Sequence, residues 1–197
     1  MTTSVRGMIE EFGRRVEESA GPDVRRQVMT GSARVTSGLE PTSLWVKGAV
    51  ERLERLAGER TAVTVMEACG VNCARINHGV VARAKARRSR HADEEAFLAA
   101  EARHPQRGTR LERHGDILYQ TYTPRTYTYP MRCYCALLSD LPPSETVPRA
   151  YCHCSKAFVR SYWEEVLGRP VKVEILESAV GGSAVCRFRI TPESAAG

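Results

Sequence analysis

The 197-residue chain has no long apolar run, and none approaches the roughly 18 residues that a membrane helix needs. The stretch from Met1 to Phe12 lacks a basic segment followed by an apolar core and a small-residue cleavage site, so no signal peptide is read there. Both absences make the cytoplasm the expected compartment, where thiols stay reduced. Aromatic residues are sparse, at 7%. There is no glycine-rich phosphate loop, no Gly-x-Ser-x-Gly elbow and no His-Glu-x-x-His pair, which removes the commonest nucleotide, esterase and metalloprotease signatures. A strong charge of one sign is also missing. Lys and Arg number 29 against 23 Asp and Glu, a mild basic excess that does not form a nucleic-acid footprint. The basic run from Arg83 to His91 falls on an expected helix with Ala and Val between the charges and reads as a solvated face. Nucleic acid and membrane are therefore not expected partners. With 42% hydrophobic and 26% charged residues, the composition is that of an ordinary globular chain.

What stands out is cysteine. Seven are present, at 69, 73, 133, 135, 152, 154 and 186, too few for a small disulfide scaffold and odd in number. Six fall into three close pairs. Cys69 and Cys73 share one helix face if Met66–Arg75 is helical. Cys133-Tyr134-Cys135, read as extended, points both thiols the same way. Cys152-His153-Cys154 repeats that spacing and ends at Ser155, an expected N-cap, where a helix N-terminus favours the thiolate. Clustered thiols in a reducing compartment point to metal or redox chemistry. Four thiolates would satisfy tetrahedral Zn2+, and an iron–sulfur cluster is the alternative cofactor. The plain alternative is that the cysteines are small buried hydrophobes.

The first half reads as helices: one on Val5, Met8, Ile9, Phe12 and Val16 ending at Gly21-Pro22, a short one to Met29, then a Ser/Thr/Gly-rich connection over Gly31–Pro41. A strong helix on Leu44, Trp45, Val46, Ala49, Val50, Leu53 and Leu56 ends at Gly58. A long Ala/Val-rich stretch from Thr61 to Arg90, interrupted by Gly70 and Gly79, is expected as two helical pieces, and Asp93 caps another helix to Ala102. After a boundary at 106–109 the period becomes two. Leu111–Arg113 and Ile117–Tyr122 flank His114-Gly115-Asp116 as a hairpin, and Tyr119, Tyr122, Tyr127, Tyr129 and Tyr134 crowd the region. A helix over Lys156–Leu167 and two strands, Val171–Ser178 and Ala184–Ile190, complete the chain. The expected fold is α+β: N-terminal helices over residues 1–105, packed with an α+β region over 106–197 that holds an antiparallel sheet and a long helix, as one compact unit. If Gly181-Gly182 is a two-residue turn, partner numbers sum to 363. Glu177 then faces Cys186 on the apolar side, where a carboxylate needs a cation, a metal or a shared proton. A frayed strand end with a solvated Glu177 is the alternative.

The segment from Tyr151 to Ile190 carries Cys154 before a helix, then Gly168-Arg169-Pro170-Val171, Glu177, Gly181-Gly182 and Cys186-Arg187-Phe188. In these features it resembles the vinyl-4-reductase-type ligand-binding domain of bacterial hydrocarbon and phenol sensors. The resemblance implies a structural zinc on Cys154, Glu177 and Cys186. The sensors' further cysteine is Val180 here, so Cys152, Cys133 or Cys135 would complete the set. Cys69 and Cys73 are a second possible thiol site. The Cys-x-Phe ending is similar, more weakly, to aminothiazoline-carboxylate hydrolase-like proteins. The wider cysteine pattern over about 60–190 looks like an uncharacterised cysteine-rich bacterial group.

The function expected from these readings is a zinc-stabilised protein binding an apolar or aromatic small molecule. Tyr119, Tyr122, Phe158, Tyr162 and Trp163 are candidate lining residues, and a second copy of the chain is a candidate partner. The alternatives are a hydrolase of a small heterocycle or amide and an iron–sulfur redox protein. In the hydrolase, Cys152 or Cys154 would act as nucleophile, or a metal-bound water would attack, with Glu177 as general base.

Overall fold

The computed structural model describes residues 4–105, 108–123 and 133–193. Tyr127 and Tyr129 lie outside the described residues. The helices are α1 (Val5–Ala20), α2 (Pro22–Val28), α3 (Ser32–Thr36), α4 (Thr42–Ala57), α5 (Glu59–Ile76), α6 (His78–Arg88), α7 (Glu94–Arg103) and α8 (His153–Leu167). The strands are β1 (Thr109–His114), β2 (Ile117–Tyr122), β3 (Val171–Glu177) and β4 (Cys186–Pro192), antiparallel in the order β1-β2-β4-β3. The architecture is α+β, with helices packed on one face of the sheet.

Local chemistry sets most boundaries. Ser4 accepts from Gly7 N–H at 3.1 Å to start α1, and Pro22 opens α2 at a position where its missing N–H costs nothing. Gly58, at φ 82°, ends α4 and starts α5 within one residue, a left-handed corner that a side chain would strain. The connection after α2 is not all loop: α3 forms within it to bury Val35. The break between α5 and α6 falls at Asn77, whose side chain donates to the Cys73 carbonyl at 2.9 Å, and not at Gly70 or Gly79. Asp93 caps α7 by accepting from Ala96 N–H at 2.7 Å. Asp93→Ala is expected to cost about 1 kcal/mol. It should read as a lower urea midpoint at unchanged slope; an unmoved midpoint would show that solvent serves Ala96 equally well.

Two hydrophobic clusters fill the interior. One joins α1, α2, α4 and α5 to the segment containing Leu137, Leu138, Leu141, Val147 and Tyr151. The other joins α6, α7 and α8 to the sheet. The interior is thus not divided at residue 105: α6 and α7 pack with the sheet, and residues 137–152 pack with the first helices. α8 lies along the seam, with Cys154 packed against the first cluster and Val159, Tyr162, Trp163 and Val166 in the second.

On the sheet, Leu118, Gln120 and Tyr122 of β2 face Ile190, Phe188 and Cys186 of β4. The other face carries Glu112, Tyr119, Glu174, Arg187 and Arg189, joined by ion pairs. The partner sum of 363 holds from Val171–Pro192 to Ile175–Phe188 and then shifts by one at a bulge, so Glu177 pairs with Arg187, not with Cys186. The cause is the turn. Ser178 caps a 3-10 turn over Ala179–Gly181, accepting from Gly181 N–H at 3.1 Å, where a two-residue turn was expected. The extra residues displace Glu177 from the apolar face.

Candidate functional site

Between α8 and β1–β2 lies a cavity of about 150 Å³, with Val80 and Glu101 closing it from α6 and α7. Its walls include Leu111, Tyr122, Phe158, Tyr162 and Trp163, so four of the five aromatic residues singled out by type meet there. Tyr119 does not. It lies on the opposite sheet face, with the Arg187 guanidinium 5.2 Å from its ring centre. The floor is polar and buried. Trp163 Nε1 donates to Gln120 Oε1 at 2.7 Å, and Gln120 Nε2 donates to the Tyr122 hydroxyl at 2.8 Å. Among the described residues, no acceptor takes the Tyr122 hydroxyl proton. Burial pushes the Tyr122 pKa far up, so that proton stays in place. At one side Arg87 pairs with Glu101 at 2.7 Å and reaches the Tyr162 hydroxyl at 3.5 Å. Apolar walls with a few fixed polar groups are the usual build of a small-molecule site. A void of roughly 150 Å³ is the size that admits one benzene ring.

The thiols gather at the other end of α8, all seven free. Cys152-His153-Cys154 is not extended. A 3-10 turn over Arg149–Cys152 runs directly into α8 at His153, so Ser155 is not the cap. Two residues apart on a helix face nearly opposite ways. The two thiols therefore separate. Cys152 Sγ sits 2.8 Å from Ser178 Oγ and near Cys186. Cys154 has Cys135, Cys69, Cys73 and Cys133 as thiol neighbours. Cys186, opposite Tyr122, accepts from Ala179 N–H at 3.4 Å. Cys133 sits between the groups, accepting from Cys135 N–H at 3.4 Å. Of the ligands implied by the sensor resemblance, Cys186 lies near Cys152, Cys154 lies among the other thiols, and Glu177 stands opposite Arg187 on β4. With torsions as they stand, no three His, Cys, Asp or Glu side chains among the described residues surround a point a metal could fill.

Burial also reverses the expected thiol acidity. It pushes Cys152 up to about 11 and Cys154 well above the ordinary value, overriding the helix N-terminus. It pushes Cys69 up to about 12 and Cys133 far up.

Beside the thiols, Glu67 of α5 accepts from Lys156 Nζ at 2.8 Å and lies 3.4 Å from His153 Nδ1. Burial opposes its ionisation, but the Lys156 and His153 contacts prevail and hold it below the usual carboxylate range. A lowered folded pKa means the stabilisation is present above about pH 4.5 and fades as pH falls through the folded value. Glu67→Gln is expected to cost about 1 kcal/mol at pH 7 and less at pH 3. Urea titrations at both pH values check this; an equal cost at each would assign the loss to packing.

The fold and the cavity define the chain as an α+β protein with a partly open, small-molecule-sized cavity against α8 and a group of thiols near the start of that helix. It belongs to the family of unknown function DUF6144, whose model matches residues 5–196. No curated protein matches it. Among solved structures it is similar to an H-NOX protein from S. oneidensis in the Fe(II)NO ligation state. That similarity has a TM-score of 0.43 and 8% identity, over 95% of this chain and 98% of that one.

Proposed function

We propose that this chain binds a small, largely apolar molecule of about one aromatic ring, carrying one hydrogen-bond acceptor, in the cavity between α8 and β1–β2. The observation that carries this is the union of volume and polarity. The void is about 150 Å³, and the Trp163–Gln120–Tyr122 chain leaves one buried O–H aimed at no acceptor among the described residues. A buried donor without a partner is costly, and a ligand oxygen placed there removes the cost. The resemblance of Tyr151–Ile190 to the phenol-sensor module supports the same ligand class. The cysteine-nucleophile form of the hydrolase reading has no such support, because burial raises the Cys152 and Cys154 thiols, the reverse of nucleophile activation.

Calorimetric titration tests the proposal. Phenol should bind with Kd in the micromolar to millimolar range and about tenfold more tightly than benzene, a difference of about 1.4 kcal/mol. Val80→Phe, which fills the cavity from α6, should abolish both. Equal binding to wild type and Val80→Phe would move the site elsewhere, and no binding of phenol at millimolar concentration would end the proposal.

A further inference from the structure

We propose that Cys69, Cys73, Cys135 and Cys154 form a site for one thiophilic cation of the Zn2+ class, built at the crossing of α5 and α8 and separate from the small-molecule cavity. The crossing of α5 and α8 brings three of the four into one neighbourhood. Gly70 sits so close to α8 that a Cβ there would lie 2.1 Å from the Cys154 carbonyl oxygen. Cys69 and Cys73, four apart on one stripe of α5, border Gly70 in sequence, and both are neighbours of the Cys154 thiol. The fourth comes from the segment that packs over the crossing. There Tyr151 O–H donates to Cys135 Sγ at 3.4 Å.

The surroundings are those of a ligand set. Cys135 and Cys73 each accept a hydrogen bond, from Tyr151 and from Asn77 Nδ2 at 3.5 Å, the kind of outer contact that orients metal ligands. Cys154 has all three other thiols, and Cys133, as neighbours. From α1, Glu11 acts on Cys69 more strongly than Arg15 or Arg14, whose guanidiniums are paired with Glu11 and Glu18. Four sulfurs match the coordination number of structural zinc, and thiolate softness selects this class over Mg2+ or Ca2+. No three of these side chains surround a metal-sized point as they stand, so binding requires rotation about Cα–Cβ bonds into other staggered wells. Each thiol that ligates gives its proton to the buffer, so binding releases up to about four protons and weakens as pH falls.

This set differs from any built on Cys186, Cys152 or Glu177, and that difference is the test. The reduced full-length chain is titrated with Co2+ in the absence of oxygen, then with Zn2+. The expected result is one equivalent of Co2+ with the intense visible bands of tetrahedral thiolate coordination, bleached by Zn2+. Cys69→Ser, Cys73→Ser and Cys135→Ser should each weaken Co2+ binding by about tenfold or more, with the circular dichroism of the metal-free protein unchanged. Cys186→Ser and Cys152→Ser should leave both the bands and the affinity as in wild type. No thiolate band, or an equal loss on Cys186→Ser, would overturn the assignment. A brown iron–sulfur chromophore in the purified protein would do the same.

Discussion

Gly70→Ala is expected to destabilise the protein by about 3 kcal/mol, at the upper end of overpacking costs. This runs against helix propensity, since Ala is better than Gly in a helix interior by about 1 kcal/mol. The reason is contact. The added Cβ would meet the Cys154 carbonyl oxygen at 2.1 Å, its carbonyl carbon at 2.9 Å and the Ala157 Cβ at 2.8 Å. Two of these atoms are backbone, so no side-chain rotation relieves them. α5 and α8 must instead part by about 1 Å, and close-packed interiors resist such shifts. The separation also opens the contact between the two hydrophobic clusters, which meet along α8. Gly79→Ala is the control. Its Cβ would meet only the flexible end of Arg83, at 3.6 Å. It is expected to stabilise by about 0.5–1 kcal/mol. Urea denaturation of the two variants should move the midpoint in opposite directions; a Gly70→Ala protein as stable as wild type would show that the helices are not in contact there.

Gln120→Leu is expected to cost about 2–6 kcal/mol, from two orphaned buried groups at about 1–3 kcal/mol each. Leu nearly preserves the volume but gives Trp163 N–H no acceptor and Tyr122 O–H no donor. A Gln120→Leu/Trp163→Phe double variant removes one orphan along with its partner, so it should cost less than the sum of the single changes by about 1 kcal/mol or more. Additive losses would show that the Trp163–Gln120 bond contributes nothing beyond packing. The ligand effect separates function from stability: the preference for phenol over benzene should shrink toward unity in Gln120→Leu, because Tyr122 is no longer held at one orientation.

Much of the fold was legible in local chemistry. The helical period and the caps at Gly58 and Asp93 are properties of short segments. The register of β3 on β4 followed from alternation as far as Ile175 and failed where Ser178 starts its own turn. Cys152-His153-Cys154 looked like Cys133-Tyr134-Cys135, yet a 3-10 turn after Pro148 makes the first helical, and spacing alone does not carry that distinction. Gly70 read as an interruption of a helix; its role is close approach to α8, a tertiary fact. Aromatic type found Tyr122, Phe158, Tyr162 and Trp163, whereas strand parity separates Tyr119 from Tyr122. Gln120 was missed although a signal existed. It occupies an inward position between Leu118 and Tyr122, and a polar residue on a buried strand face is the informative exception.

The most direct measurement of small-molecule binding in this cavity is the indole N–H resonance of Trp163 in 1H–15N spectra during a phenol titration. Trp163 Nε1 ends the hydrogen-bond chain that floors the cavity, whereas the indole of Trp45 donates to the Thr30 carbonyl at 2.8 Å in the other cluster. The Trp163 resonance should shift in a saturable manner while that of Trp45 stays fixed, and Val80→Phe should remove the shift. A Trp163 resonance unmoved at millimolar phenol, or equal shifts of both indoles, would contradict the account.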